Sequence, residues 1–262
     1  MKIDVIVCTK DRPLKVIRAI THINRLIPYE KLIVVDSSRE HNLQLEKRCN
    51  TYIHTPHARL GYARQKGILS ASSPYIAFID DDVILEKAWF NKIVRNFNNP
   101  SIIGVSGNVI MGSHKSIRSY WLKTTRLDER GCANAVFNRE KLLEIGGFDI
   151  RTHLGEDTEL KLRIRKTPYI WVKDNNVRCF HPLSFIDFLK HNSTYGAIDA
   201  DLYIKYPETD LYHIYKPTKL YYMILYSFKM ALKYHPLWII YQPLRFFIRS
   251  LSFNKKYRAL MK

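Results

Sequence analysis

Three consecutive carboxylates, Asp80, Asp81 and Asp82, interrupt an apolar stretch: Tyr75-Ile76-Ala77-Phe78-Ile79 runs into them and Val83-Ile84-Leu85 resumes beyond. Acids this close repel one another. Side chains alternate along an extended chain, so Asp80 and Asp82 are expected on one face and Asp81 on the other. A divalent cation relieves the repulsion. Hard oxygen ligands suit Mg²⁺ or Mn²⁺, which take one or two carboxylates and complete their shell with substrate phosphates. The triplet therefore points to a phosphorylated ligand. A solvated acidic turn, the plainer alternative, fits poorly between two apolar runs. Two further groups carry usable chemistry: Glu156-Asp157, directly after Gly155, and His181, between Phe180 and Pro182.

Side chains act only where an element aims them. Short apolar runs rich in β-branched residues alternate with helical patterns over the first hundred residues, which predicts βαβ units and a largely parallel sheet. Strands are expected over residues 4–8, 31–35 and 52–54 and again just before the aspartates, with helices over 13–26, 61–70 and 87–97. In open α/β sheets a ligand lies beyond the carboxyl ends of the strands. Thr9, Asp11, Asp36 and Asp80 all fall there, so they should share one site. Further along, strands are expected over 102–109 and 133–137 and helices over 139–145, ended by Gly146-Gly147, and 157–166. Two short strands, 169–172 and 176–180, should flank a turn.

Composition narrows the partners. A formal charge of +18, from 42 basic against 24 acidic residues, implies an anionic partner such as a nucleotide, a nucleic acid or a membrane surface. Distribution discriminates among these. From Leu211 onward there are ten Lys or Arg and no Asp or Glu, so +10 of the +18 lies in the last fifth of the chain. A chain of 262 residues suits one large domain with an appendage, here a catalytic domain over 1–210 and a basic aromatic tail over 211–262. Cys8, Cys49, Cys132 and Cys179 are far apart and form no paired metal motif, which fits reduced thiols in a cytosolic protein. Charges at Asp4, Lys10, Asp11 and Arg12 break any signal-peptide apolar region. The protein is expected to stay inside the cell.

Six segments, in order and spacing, carry a resemblance: Val5-Ile6-Val7-Cys8-Thr9-Lys10-Asp11-Arg12-Pro13, Ile33-Val34-Val35-Asp36-Ser37-Ser38, Gly61-Tyr62-Ala63-Arg64-Gln65, Asp80-Asp81-Asp82, Gly146-Gly147-Phe148-Asp149 and Gly155-Glu156-Asp157. Together they resemble the family 2 glycosyltransferases, inverting enzymes of the GT-A fold that use nucleotide-sugar donors. The likeness covers residues 3–190. It implies a Rossmann-like α/β fold, with a mixed, mainly parallel sheet flanked by helices and a C-terminal amphipathic helical extension. It also implies nucleoside contacts from Thr9, Asp11 and Asp36. An Asp at the end of a strand before Ser-Ser is equally suited to capping a turn. Arg64 is expected on the base or diphosphate, with a surface ion pair as its alternative.

In the DxD motif that Asp80-Asp81-Asp82 resembles, the first acid lies near the ribose and the last binds the metal. Asp82 is thus the expected ligand of Mn²⁺ or Mg²⁺, with Asp80 and Asp81 on the donor nucleotide. The Glu156-Asp157 pair is implied to be catalytic, and Asp157 to be the general base that takes a proton from the acceptor hydroxyl. Helix-capping is the competing role for Asp157. His181 stands where related enzymes can place a histidine on the metal. Gly131-Cys132-Ala133-Asn134-Ala135 resembles the family's small-residue strand near the acceptor, or else packs the core. Trp121 and Arg126 are candidates for an acceptor-facing loop.

The tail has its own pattern. Lys219, Tyr222, Tyr226, Lys229 and Lys233 recur at helical spacing, and a second helix over 237–249 sets Gln242, Arg245 and Arg249 apart from Ile240, Leu244, Phe247 and Leu251. The uncharged runs Leu220 to Phe228 and Tyr234 to Leu244, nine and eleven residues, fall short of the roughly 20 needed to span a bilayer. Helices lying in the interface of an anionic membrane are expected, on its cytoplasmic face; packing against the catalytic domain is the alternative. The combined expectation is metal-dependent, inverting transfer of a hexose to a hydroxyl of a lipid-linked glycan, in cell-surface glycan or glycoprotein biosynthesis. Alternatives are a polyprenyl-phosphate glycosyltransferase, whose nucleophile needs no base, and a nucleotide-sugar hydrolase or nucleotidyltransferase. A noncatalytic nucleic-acid binder would leave the acidic cluster without a purpose.

Overall fold

The computed structural model describes residues 1–111, 131–152, 155–181, 185–208, 224, 225, 228 and 238–261. The described residues up to His181 form one compact unit and those from Phe185 onward a second. In the first unit, strands β1 (Ile3–Thr9), β2 (Lys31–Asp36), β3 (Thr51–His54) and β4 (Tyr75–Ile79) are parallel, in the order β3-β2-β1-β4. The sheet continues through β7 (Asn134–Asn138), β6 (Ile102–Met111), β8 (Ile170–His181) and the two-residue β5 (Ile84–Leu85), with antiparallel pairs β4–β7, β6–β7 and β5–β8. With β6–β8 also parallel, four of the seven pairings are parallel, and the sheet is mixed and mainly parallel.

The strands are apolar on both faces because helices cover both. Val5 and Val7 belong to one buried cluster together with Val16, Ile20 and Ile23 of α1 (Pro13–Leu26), while Ile6 belongs to another with Ala63 and Ile68 of α3 (Leu60–Ser70). Burying such an aliphatic side chain contributes roughly 1.5–3 kcal/mol. Pro13 starts α1, where its missing N–H leaves nothing unsatisfied. α2 (Leu43–Glu46), capped by Asn42, and strand β5 are too short for their patterns to stand out in the sequence. The expected helix over 87–97 is α4 (Trp89–Ile93) followed by a 3₁₀ turn, Val94–Asn98. The two strands expected around a turn are a single strand, β8, whose register against β6 shifts between Gly107 and Asn108. Helices α5 (Arg139–Glu144) and α6 (Glu156–Ile164) lie within one or two residues of their expected ends.

Strand register does the positioning. Thr9 pairs with Asp36 across β1 and β2, and Ile6 pairs with Phe78 of β4, so all three parallel strands deliver their carboxyl ends to one edge.

In the second unit, α7 (Phe185–Lys205) and α8 (Trp238–Leu260) pack on Ala200, Phe246 and Phe253. Gly196 is required there, because a Cβ would run into the Arg249 carbonyl. The tail helix extends well past its expected end at 249. Arg245 is buried with Nε 3.1 Å from Asn192 Oδ1, and Arg249 pairs with Asp199 at 2.7 Å, while Phe247 and Leu251 are exposed. Polar partners on α7 account for the position of both arginines. The earlier stripe, over 219–233, lies mostly outside the described residues, as do Trp121 and Arg126.

Candidate active site

The donor edge is built from loops that follow β1, β2 and β4. Asp36 ends β2 almost fully buried; its Oδ1 accepts from the Ser38 N–H at 2.9 Å and from the Ser38 hydroxyl, and its Oδ2 from the Tyr52 hydroxyl at 2.7 Å. The carboxylate is thus oriented from both sides. Asp11 adopts a left-handed φ of 55° and donates its N–H to Ser38 Oγ at 2.7 Å, which ties the first loop to the second. Tyr52 in turn meets His41 edge to face and stacks with His54. That support is absent from any short motif; only the β3 register reveals it.

The aspartates do not follow the alternation expected of a strand. β4 stops at Ile79 and Asp80–Val83 is a turn closed by a 3.4 Å bond from Val83 N to Asp80 O, so the three carboxylates diverge. Asp81 accepts from Thr9 Oγ1 at 2.6 Å and from Arg12 at 3.3 Å. Asp82 meets Arg12 at 3.1 Å, Lys15 at 3.3 Å and His181 Nε2 at 3.0 Å. Asp80 turns away, to Arg64 at 3.1 Å. The pairing is therefore Asp81 with Asp82, through Arg12. Burial pushes the Asp81 carboxyl up to about 6, although Thr9 and Arg12 work against it. Burial acts on Asp82 too, but the hydrogen bond and charge of His181, with Lys15 and Arg12, hold it well below the usual carboxylate range.

Arg64 is the hub of a second cluster. Its side chain is only 4% exposed, and its guanidinium lies 5.8 Å from the Phe78 ring and 5.7 Å from the Phe148 ring, in cation–π range. One nitrogen meets Asp80 and another meets Glu156, so it is neither a surface pair nor open to solvent. Two glycine motifs hold it in place. A Cβ on Gly61 would collide with the Asp149 carbonyl, Gly147 needs its φ of +64°, and Gln65 Oε1 accepts from the Phe148 N–H at 2.8 Å. The segments Gly61–Gln65 and Gly146–Asp149 form one seam. Burial pushes Glu156 up to about 7 against the pull of Arg64.

Glu156 and Asp157 open α6 after Gly155, whose φ is +77°. Glu156 is consumed by Arg64. Asp157 is half-buried: its Oδ1 accepts from the Thr158 N–H at 2.7 Å, a helix-end contact, and its Oδ2 has no donor among the described residues. A Cβ at Gly131 would sit 3.2 Å from that Oδ2, so the small residue leaves the oxygen open. The Gly131 carbonyl accepts from Ser106, which accepts from Trp171 Nε1 at 2.7 Å. The rest of the small-residue run, Cys132 to Ala135, packs the core as far as burial shows it.

His181, the last residue of β8, is brought onto Asp82, and its Nδ1 is buried with no hydrogen-bond partner among the described residues. Burial opposes its charge, but the hydrogen bond and charge of Asp82 raise its pKa above the ordinary histidine value. A carboxylate and an imidazole converging on one point suit Mn²⁺ or Mg²⁺. Among the described residues no third His, Cys, Asp or Glu joins them, so phosphates and water would have to complete the shell, as such ions prefer. Arg12 and Lys15, which carry no site role in the sequence reading, stand beside them. The Pro13 start of α1 was the available signal.

A family model described as glycosyl transferase family 2 matches residues 4–152, from β1 to the Phe148–Asp149 seam. The chain belongs to glycosyl transferase family 2. This family 2 chain has the GT-A fold: it resembles the mannosyltransferase PcManGT from Pyrobaculum calidifontis, solved in complex with GDP-Man and Mn²⁺, with a TM-score of 0.72 at 13% identity over 99% of this chain and 88% of that one. A pre-mycofactocin glycosyltransferase of Mycobacterium tuberculosis is 23% identical over 181 residues, covering 60% of this chain and 37% of that protein. A glucosyl-dolichyl phosphate glucuronosyltransferase of Haloferax volcanii is 27% identical over 150 residues, covering 48% and 47%. The family 2 chain spans less than half the length of these curated relatives.

Proposed function

We propose that the chain is an inverting glycosyltransferase that moves a hexose from a nucleotide-diphosphate sugar to a hydroxyl of a lipid-linked glycan. The observation that carries this is the Asp80–Arg64–Glu156 bridge, which couples the donor turn to the helix end bearing Asp157. Thr9, Asp11 and Asp36 take the nucleoside, with Asp80 beside the ribose. Asp157 Oδ2 accepts the proton of the acceptor hydroxyl as that oxygen attacks the anomeric carbon and the sugar–phosphate bond breaks on the opposite side. A Mn²⁺ or Mg²⁺ ion held by Asp82 and His181 supplies charge to offset that on the departing diphosphate. Glu156, already paired, positions its neighbour. The lipid-linked acceptor is favoured by a relative named for a glucosyl-dolichyl phosphate.

The tail supports attachment to a membrane surface, on its cytoplasmic face. Among the described residues no helix is long and apolar enough to cross a membrane. Phe247 and Leu251, each 55% exposed, share a stripe of α8 with exposed Lys255 and Arg258, the pattern of a helix lying at an anionic interface.

Two experiments test the reading. Asp157→Asn, assayed with saturating donor and acceptor, is expected to lose most turnover; wild-type turnover would reject Asp157 as base and favour a polyprenyl-phosphate acceptor, which needs none. Donor consumption without acceptor would instead indicate a hydrolase. Sedimentation with anionic liposomes should weaken in Phe247→Ser/Leu251→Ser, and equal pelleting of this variant would remove these two residues from the membrane assignment.

A further inference from the structure

Arg12 and Lys15 are placed differently from every other cation in the site. Both reach the same oxygen, Asp82 Oδ2, at 3.1 and 3.3 Å, and Arg12 also reaches Asp81 at 3.3 Å. The carboxylates are nearly buried, with 6% and 9% of their side chains exposed, whereas Arg12 and Lys15 remain 49% and 48% exposed. Buried acids need a counter-charge, and here two long, solvent-facing arms supply it. One arginine and one lysine together carry the charge of one divalent ion. An ion arriving at Asp82 and His181 would repel both arms and take over their neutralising role, so the exchange leaves the net charge of the cluster unchanged.

We propose that Arg12 and Lys15 are ligands of the donor diphosphate, and that in the donor-free protein they occupy the place of the cation on Asp81 and Asp82. The proposal rests on the glycosyl-transfer reading above for the identity of the anion. A nucleoside diphosphate arriving with its ion brings negative oxygens to the same edge of the sheet, and the released arms are exposed cations at that edge able to receive them. Guanidinium suits phosphate because its N–H groups form a fork that matches two oxygens, and an ammonium serves as a point charge. Arg12 is anchored for this: Pro13 begins α1 immediately after it, and the left-handed Asp11 immediately before it is tied to Ser38. Only the side chain needs to move.

The two roles predict opposite signs for one substitution. In donor-free protein, titration with Mn²⁺ alone, read by the electron paramagnetic resonance of the free ion, should show Arg12→Gln and Lys15→Gln binding the ion about fivefold tighter than wild type, the scale of removing one partly exposed charge pair. With Mn²⁺ saturating, calorimetry should show the same variants binding inorganic pyrophosphate about tenfold more weakly, the scale of a lost charge-assisted contact. Arg12→Lys should restore pyrophosphate binding in part, which separates the contact from general damage, and thermal melts check that each variant is folded. Unchanged or weaker Mn²⁺ binding in both glutamine variants overturns the exchange. Tighter Mn²⁺ with unchanged pyrophosphate binding overturns the diphosphate role. Neither readout involves an acceptor or turnover, so failure of the base assignment at Asp157 and failure of this proposal are distinguishable.

Discussion

Two carboxylate clusters share the candidate site, and they hold their positive charge in different ways. Asp80 and Glu156 close on Arg64, whose side chain is 4% exposed and lies against two aromatic rings. Asp81 and Asp82 close on Arg12 and Lys15, each about half exposed. A buried guanidinium cannot leave without stranding its acids, whereas an exposed arm exchanges its partner with water, ions or substrate. The contrast separates scaffold from ligand site. It also divides the three consecutive aspartates, with Asp80 held by the enclosed arginine and Asp81 and Asp82 by the exchangeable arms.

The largest effect should come where the scaffold ends, at Asp157. Asn at this position keeps an oxygen for the Thr158 N–H, so melting temperature should hold while kcat falls by roughly 10²- to 10⁴-fold, the range for losing a positioned base. If stability falls instead and turnover survives, the residue belongs to the scaffold and the division drawn here fails. Next in size is Arg64→Met, which leaves Glu156 as a buried carboxylate without its partner. Breaking a buried pair from one side costs about 3–5 kcal/mol, measurable by urea unfolding. Adding Glu156→Gln should recover part of the loss, because the stranded charge goes with it. A double variant no more stable than the single one would mean that packing against Phe78 and Phe148 dominates. Gly61→Ala probes the seam that holds Arg64: its methyl must displace the Asp149 carbonyl, so about 1–3 kcal/mol should be lost.

Much of this site was legible in the sequence, for reasons that show where legibility stops. Thr9, Asp36 and Asp80 were placed together because parallel strands share an edge, a consequence of pattern alone. The internal arrangement of the aspartates was not readable. Alternation holds only while the strand lasts, and β4 ends one residue before Asp80. The Gly61–Gln65 segment marks Arg64 as a site residue through the family resemblance, but its burial depends on Phe148, more than eighty positions away. In the tail, helical spacing located α8, but it does not encode that Asn192 and Asp199 on α7 hold Arg245 and Arg249. Local periodicity finds elements; long-range partners choose their faces.

The smallest predicted effect is the most discriminating for the comparison. Arg12→Gln removes a cation shared by two acids, as Arg64→Met does, yet its folding free energy should change by less than about 1 kcal/mol, because water reaches the pair and Lys15 stays within 3.3 Å of Asp82. Salt sharpens the test. The screening length falls from about 10 Å at 0.1 M to about 3 Å at 1 M, so the remaining difference between wild type and Arg12→Gln should vanish over that range in urea titrations. The Arg64→Met difference should persist, since Arg64 and Glu156, each 4% exposed, are closed to ions. Equal salt sensitivity of the two variants would show that both clusters are open to solvent, and Arg64 would then join Arg12 and Lys15 among the candidates for contact with the donor.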